Sequence, residues 1–210
     1  MSDQPGRQDH WREAYTAKQP SEVSWFQRRP DVSLDLIEKT EVAHDASIID
    51  VGGGASTLVD YLLAEGRTSV TVLDVAEPAL AYAKSRLREQ AGCVDWIVAD
   101  ITKWQAPQRA YDIWHDRAVL HFLTDPADQA AYAARLKSAL RVGGWVIIGG
   151  FAKGGPTHCS GLDIIQHDAV SLKKLLGPGF SLEYVRDEEH CTPRGSEQRF
   201  TYHVFKRHSE

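Results

Sequence analysis

The stretch ASIIDVGGGASTLVDYLL, from Ala46 to Leu63, joins a short apolar run to three consecutive glycines and then to a helical pattern. The apolar run predicts a β-strand over 47–51, and the pattern after the glycines predicts a helix over 57–64. Glycines adopt positive φ easily and let the backbone approach a ligand without a Cβ in the way. The first N–H groups of the helix are free to bind a negatively charged group. The stretch therefore predicts a strand–turn–helix unit that binds a ligand at its glycines.

Length and composition indicate an ordinary globular chain. Its 210 residues predict one domain over 1–210. The formal net charge of −5, with no cluster of Lys and Arg, argues against a nucleic-acid partner. No apolar run is long enough to span a bilayer, and residues 1–7 lack the pattern of a secretory signal. We therefore expect a cytoplasmic protein with no membrane partner, and we leave monomer and homodimer open.

Strands and helices alternate along the first 150 residues. Strands are predicted over 47–51, 69–73, 94–99, 111–114 and 145–149, and helices over 57–64, 78–90 and 128–140. The pair Gly143–Gly144 is expected to close the last of these helices. Apolar strands separated by helices of this length indicate a parallel sheet that is covered on both faces. The fold class is therefore doubly wound α/β.

The alternation weakens after Gly150. A loop is expected over 153–161, a short helix over 171–176, and a closing pair of strands over 180–186 and 199–206. In open sheets of this class, ligands bind outside the carboxyl ends of the strands. We therefore look for the functional residues at that edge.

Asp74 follows the glycine corner by about 20 residues and ends the second predicted strand, a position suited to bind both hydroxyls of a ribose. A dinucleotide fingerprint would place a further glycine at position 57, where this chain has Thr57. An NAD-type oxidoreductase is therefore a weaker alternative. Asp74 and Asp100 also have a purely local alternative, because carboxylates at strand ends often cap turns.

Four motifs occur in a recognisable order: Asp50-x-Gly52-x-Gly54, Val72-Leu73-Asp74, Ala99-Asp100-Ile101 and the run Tyr111–Arg117. Together they resemble the class I S-adenosylmethionine (SAM) methyltransferases. The resemblance departs at Ser56, where the family usually has a glycine. It implies a Rossmann-like seven-stranded sheet with an antiparallel C-terminal strand, and SAM as the cofactor. The cofactor-binding residues that it implies in the core are Asp50, Gly52, Gly53, Gly54, Asp74, Val75, Asp100, Ile101 and His115.

By the same resemblance, Asp100 would accept a hydrogen bond from the adenine amino group, and the N–H of Ile101 would face the ring. The SAM-binding core would cover 46–150, and 151–210 would supply the substrate side and the closing strands.

Aromatic residues mark the N-terminal segment. Trp11 and Tyr15 are one helical turn apart, and Trp25 follows after a polar break. Such residues either pack a helix onto the sheet or form a lid, whose aromatic faces attract the sulfonium of SAM and exclude water. This segment and the Asp-Arg-Ala after the fourth strand narrow the resemblance to thiopurine S-methyltransferase-like and related bacterial methyltransferases. That resemblance implies a lid over 10–40 in which Trp11, Tyr15 and Trp25 contact SAM. Residues 1–9 are expected to be flexible.

Methyl transfer requires alignment more than acid–base catalysis, because the sulfonium is already an activated electrophile. A thiolate or a deprotonated amine can attack directly, whereas a hydroxyl or a carbon acid needs a base within hydrogen-bond reach. His115, Asp116 and His121 are the candidate bases, because they follow the fourth strand. The alternative for Asp116 is an ion pair with Arg117 that anchors the loop.

Two His-Cys pairs, His158-Cys159 and His190-Cys191, lie in loop-like sequence near the C-terminus. Their spacing does not match a zinc site, so no metal is expected. They either form a rim beside the substrate, together with Gln198, Arg199 and Tyr202, or belong to ordinary surface loops.

The predicted function is methyl transfer from SAM to a sulfur or nitrogen of a small molecule. An Asn-Pro-Pro-Tyr-type signature is absent from the sequence, which argues against nucleic-acid bases as acceptors. The alternatives are methylation of protein lysines and a SAM-binding module without catalysis.

Overall fold

The computed structural model describes residues 6–17 and 19–209. Within them, the α-helices are α1 (Arg7–Ala17), α2 (Asp31–Glu38), α3 (Leu58–Ala64), α4 (Glu77–Leu87), α5 (Pro126–Ala139) and α6 (Ala169–Leu176). The strands are β1 (Ile48–Val51), β2 (Val70–Asp74), β3 (Val94–Val98), β4 (Tyr111–Arg117), β5 (Leu140–Phe151), β6 (His158–Cys159), β7 (Leu162–Asp163), β8 (Phe180–Cys191) and β9 (Glu197–Arg207).

Seven strands form one sheet in the order β3-β2-β1-β4-β5-β9-β8, and β6 pairs only with β7. Strands β1 to β5 are parallel, whereas β9 runs antiparallel to both of its neighbours. The predicted seven-stranded doubly wound sheet with an antiparallel C-terminal strand is therefore confirmed. The parallel strands bring their carboxyl ends, and the residues that follow them, to one edge of the sheet.

Each face of the sheet packs against its own set of helices. Alternate residues of a strand point to opposite faces, so Ile48 joins the core with α2, α3 and α4, and Ile49 joins the core with α5 and α6. The same alternation along β4 places Trp114 and Asp116 on the α5 side, and His115 and Arg117 on the α2 side. This division decides which residues of β4 can reach a ligand.

The helix before β5 ends earlier than expected. Helix α5 ends at Ala139, and Gly143–Gly144 lies inside β5, where the pairing with β4 shifts register between Tyr111 and Ile113. Gly143 has a φ of 82°, so it turns the strand at this irregularity and does not close the helix. At the other end of α5, Asp125 accepts a hydrogen bond from the N–H of Ala127, and Pro126 fits the first turn.

The N-terminal boundary also differs from expectation in one respect. Arg7, Gln8 and Asp9 belong to α1, although 1–9 was expected to be flexible. The rest of that expectation falls on residues 1–5, outside the described residues, and on Gly6. No helix within the described residues is long and apolar enough to cross a bilayer.

Candidate active site

The glycine corner is tight at each of its three positions. Gly52 and Gly54 have φ values of 69° and 43°, in the left-handed region that other residues avoid. A Cβ on Gly52 would collide with the side chain of Val119, and one on Gly53 would collide with the carboxylate of Asp50. The predicted close turn is confirmed, and its backbone forms one wall of a cleft.

Asp74 lies at the end of β2, beside the glycine corner. Its Oδ1 accepts a hydrogen bond of 2.7 Å from the N–H of Ala76, whereas Oδ2 lies 2.7 Å from the position that a Cβ of Gly54 would occupy. Burial raises the pKa of Asp74 to about 7, the Ala76 hydrogen bond opposes this shift, and the nearby Asp50 adds to it. A carboxylate this deeply buried gains most from a ligand that donates hydrogen bonds to it, as the ribose hydroxyls of SAM would.

Asp100 follows β3 and lines the same cleft. Its Oδ1 accepts hydrogen bonds from the N–H and the hydroxyl of Thr102, at 2.9 and 2.8 Å, so Asp100 does cap its own turn. The Arg7 guanidinium lies 3.3 Å from the same oxygen and also contacts Asp128. Burial acts to raise the pKa of Asp100, but the Thr102 hydrogen bonds and Arg7 outweigh it and hold the pKa below its ordinary value. Capping therefore does not remove Asp100 from the cleft.

Two adjoining cavities meet at the glycine corner. The larger is a cleft of about 830 Å³, and the smaller has a volume of about 560 Å³. They share Tyr15, Trp25, Gly52 and Arg117. One half of the larger cleft contains Asp74, Val75, Asp100 and Ile101, and the other half, which we call the acceptor half, contains Arg117, His121, Phe122, Phe151, Cys159 and Phe200. The acceptor half is mostly apolar.

His115 lies in the smaller cavity, away from the acceptor half. Its Nδ1 is 2.7 Å from Asp50 Oδ1, and its Nε2 is 2.9 Å from Ser33 Oγ. The order of groups is that of a Ser-His-Asp triad, but Ser33, although it borders the same cavity, has no exposed surface. His115 therefore supports Asp50 beneath the glycine corner, and its position does not fit the predicted role of a base.

Asp116 points to the opposite face of β4. It accepts hydrogen bonds from the N–H groups of Val119 and Leu120, at 2.8 and 3.1 Å, and from the Tyr132 hydroxyl at 2.6 Å. Burial raises its pKa to about 6, although the Tyr132 hydrogen bond opposes the shift. Asp116 lines neither cavity, so the structure corrects its assignment as a candidate base. The expected ion pair with Arg117 was also wrong, because strand alternation directs the two side chains to opposite faces.

His121 is the candidate base that lines the acceptor half. The turn that carries it begins at Ala118, whose φ of 72° is rare for a residue with a Cβ. The imidazole is buried against the rings of Phe122 and Phe151, and neither ring nitrogen has a hydrogen-bond partner among the described residues. Burial lowers its pKa to about 3, and the charges of His167 and Arg117 add to the shift. The neutral ring can therefore hydrogen-bond a ligand but takes up a proton only weakly.

Trp11, Tyr15 and Trp25 line the cleft, and we call these three residues the aromatic lid. The Trp11 ring lies 5.8 Å from that of Trp25 and 4.9 Å from that of Phe122, both edge-on. Trp25 Nε1 donates a hydrogen bond of 3.3 Å to the Tyr15 hydroxyl. The three residues thus pack on each other and on the acceptor half. Their contact with SAM stays a prediction.

The two His-Cys pairs lie in strands β6 and β8, and the expectation of loops was wrong. Cys159 lines the acceptor half, and burial raises the pKa of its thiol. His190 donates a hydrogen bond of 2.7 Å to the carbonyl of Ser24, in the segment that carries Trp25. The part of the chain that the structure describes contains no group of three or more side chains placed to hold a metal ion.

Four residues of the acceptor half were not predicted as site residues. Arg117 was expected only to anchor a loop, and Phe122, Phe151 and Phe200 were not considered. The alternation along β4 was a usable signal for Arg117, since it shares a strand face with His115. The phenylalanines gave no comparable signal, because buried aromatic residues usually belong to a core.

The sheet order is that of the class I SAM-dependent methyltransferase fold, and the glycine corner and the two acids lie at the carboxyl ends of its strands. A sequence model of a family described as a methyltransferase domain matches residues 48–144. Residues 48–144 therefore form a methyltransferase domain, and the prediction of a SAM-dependent methyltransferase is confirmed. A search of curated proteins gives no significant match. The narrower resemblance to thiopurine S-methyltransferase-like enzymes stays a prediction.

Several solved structures share the fold. A structure reported for the conversion of a disulfide bond into a thioacetal group during echinomycin biosynthesis has a TM-score of 0.77 at 16% identity, and the alignment covers 96% of this chain and 93% of that one. A SAM-dependent methyltransferase from Anabaena variabilis has a TM-score of 0.74 at 15% identity, with 97% and 96% covered.

A third similar structure contains ligands. It is the 1,6-didemethyltoxoflavin-N1-methyltransferase of Burkholderia thailandensis, with bound 1,6-didemethyltoxoflavin and S-adenosylhomocysteine. Its TM-score is 0.66 at 20% identity, and the alignment covers 96% of this chain and 84% of that one. At this level of identity the three structures establish the fold.

Proposed function

We propose that the protein transfers the methyl group of SAM to a sulfur or nitrogen atom of a small molecule. The observation that carries this proposal is the chemistry of the acceptor half. Its imidazole has a pKa of about 3, and Asp116, on the other face of β4, is engaged by three hydrogen bonds. Of the candidate bases, His121 is therefore only a weak base, and Asp116 does not line the cleft.

A weak base selects the kind of nucleophile. A thiolate, or a nitrogen that is unprotonated near neutral pH, attacks through a free lone pair, whereas a hydroxyl or a carbon acid would need a positioned base. When bound, SAM supplies an activated methyl group on a sulfonium. The chain supplies alignment: Asp74 and Asp100 would hold the adenosine, and His121 would hydrogen-bond the acceptor. Alignment of this kind can contribute about 7–11 kcal/mol.

A small acceptor fits the shape of the cleft. The aromatic lid packs on Phe122 at the edge of the acceptor half, so the contacts that would surround the acceptor are apolar and close. The similar enzyme from Burkholderia thailandensis, described as methylating a nitrogen, supports a small acceptor by analogy of fold.

We further propose that the protein is a single domain over 1–210, that it acts in the cytoplasm, and that residues 10–40 form its lid.

The test is incubation of the protein with methyl-labelled SAM and matched panels of thiols, amines, alcohols and heterocycles, followed by product mass. The proposal expects products among the thiols or the nitrogen nucleophiles and none among the alcohols. Labelled protein lysine in a fractionated lysate would favour the alternative acceptor. Binding of SAM without any product would favour a non-catalytic module.

A further inference from the structure

Arg117 is a point where three distant parts of the chain meet. Its Nε donates a hydrogen bond of 2.9 Å to the Tyr202 hydroxyl on β9, and its Nη1 donates one of 3.1 Å to the carbonyl of Trp25. The guanidinium also lies 4.3 Å from the ring centre of Phe200. Arg117 thus connects the end of β4 to the closing strands and to the aromatic lid.

Glu188 on β8 contacts both Arg117 and the segment that carries Trp25. Its Oε1 accepts a hydrogen bond of 2.6 Å from Gln27, and its Oε2 accepts one of 3.1 Å from Tyr202. The same Oε2 lies 3.7 Å from Arg117 Nη2. The Glu188 side chain is only 10% exposed, whereas residues 183–187 of the same edge strand are all exposed. Because a carboxylate is costly to bury without partners, the hydrogen bonds from Gln27 and Tyr202 are what allow Glu188 to be buried at this position.

Residues 24–27, which carry Trp25, are held on two sides. On one side, β8 binds them through Glu188 to Gln27 and through His190 to the Ser24 carbonyl. On the other side, the hydroxyl of Thr57, at the start of α3, donates a hydrogen bond of 3.1 Å to the Gln27 carbonyl. The lid segment therefore spans from the closing strands to the glycine corner.

We propose that Glu188 is a positioning residue for methyl transfer, which fixes Trp25 over the cleft through Arg117 and Gln27. Glu188 lines neither cavity, so it acts through these partners and not by contact with a ligand. Hydrogen bonds to a charged, buried group are stronger than neutral ones and hold their partners in a narrower geometry. The inference rests on the proposed function in one respect, namely that bound SAM lies under Trp25.

The test compares Glu188→Gln with Glu189→Gln in the full-length protein. The two changes remove the same charge from adjacent positions on β8, but Glu189 is exposed. For Glu188→Gln we expect dissociation of S-adenosylhomocysteine to become about tenfold faster, as measured by stopped-flow fluorescence. The turnover number should fall with little change in the KM of the acceptor. Glu189→Gln should match the wild type in each of these measurements.

A double-mutant cycle with Gln27→Ala separates positioning from general destabilisation. If Glu188 and Gln27 act through the same hydrogen bond, S-adenosylhomocysteine should dissociate from the double variant no faster than from the single variant with the larger effect. A wild-type rate of S-adenosylhomocysteine dissociation from Glu188→Gln would overturn the proposal. So would a rate in the double variant that is increased by the product of the two single-variant factors. A wild-type protein that binds S-adenosylhomocysteine but methylates nothing would refute the proposed transfer and still leave this test decisive. Failure of the wild type to bind it at all would overturn both.

Discussion

The carboxylate of Asp74 lies where a side chain at position 54 would begin, with its Oδ2 2.7 Å from the Cβ that Gly54 lacks. The Tyr15 hydroxyl lies 3.3 Å from the same point. The glycine corner, Asp74 and the aromatic lid therefore converge on one small volume. A ligand that fills this volume would contact all three elements.

Gly54→Ala tests this convergence. The added methyl would collide with Asp74, and alanine would also be strained at the φ of 43°. We expect the affinity for S-adenosylhomocysteine, measured by calorimetry, to fall at least about tenfold, which corresponds to about 1.4 kcal/mol. Gly92→Ala is the control, because a Cβ there meets nothing within 4 Å and its φ is not positive. Equal affinities of Gly54→Ala and Gly92→Ala for S-adenosylhomocysteine would show that the glycine corner is not part of the cofactor site.

Asp74→Asn should have opposite effects on binding and on stability. A carboxylate accepts hydrogen bonds from both ribose hydroxyls, whereas an amide offers one oxygen. At pH 8 the variant should therefore bind S-adenosylhomocysteine at least about tenfold more weakly, again by calorimetry. Asp45→Asn removes an exposed carboxylate and should leave the affinity unchanged.

The stability of the ligand-free protein should depend on pH through Asp74. Folding raises the pKa of this carboxyl from its ordinary value of 3.8 to about 7, so the folded protein binds more protons than the unfolded chain between these values. The contribution of this group is complete below pH 3.8 and is lost as the pH rises through about 7. At pH 8, Asp74→Asn should thus raise the free energy of unfolding by about 1–3 kcal/mol, with a smaller gain at pH 5. Urea unfolding at the two pH values measures this difference, and an equal change at both would contradict it.

His121→Phe should weaken acceptor binding without a change in pH dependence. The imidazole is neutral throughout the physiological range because burial lowers its pKa to about 3. We expect the KM of the acceptor to rise about tenfold through loss of a hydrogen bond in an apolar site, with an unchanged affinity for S-adenosylhomocysteine. The ratio of wild-type to variant kcat/KM should be the same at pH 6 and pH 9. If kcat/KM of the wild type depended on pH and that dependence were lost in the variant, His121 would instead be identified as a proton acceptor. His44→Phe, at an exposed position, is the control.

Tyr132→Phe should affect stability and spare binding. The Tyr132 hydroxyl donates to Asp116 and accepts from Trp114 Nε1 at 2.8 Å, and all three side chains are buried. Its removal leaves two buried polar groups without this partner, at a cost of about 1–3 kcal/mol. Thermal and urea unfolding measure the loss, and Tyr184→Phe, at an exposed position, should cost little. A large loss of affinity for S-adenosylhomocysteine would instead indicate that Asp116 contributes to the functional site.

Residues whose roles depend on local spacing could be predicted from the sequence. The strand before Gly52, the helix after Gly54 and the acid at the end of β2 follow one another closely, so their geometry is set by short turns. Gly143–Gly144 shows the limit of such reasoning. The pair is a common helix stop, but here the pairing of β5 with β4 ended the helix at Ala139 and used Gly143 inside the strand.

The order of residues along the chain was enough to specify the sheet, the glycine corner and the positions of Asp74 and Asp100, because these depend on strand ends and on turns that few residues can form. The choice among the three candidate bases needed the folded molecule. Strand alternation directs His115 and Asp116 to opposite faces, and the turn that follows β4 places His121 at the cleft. Folding also joined Glu188 to Arg117 and Gln27, because contacts between residues far apart in the chain exist only after the sheet has closed.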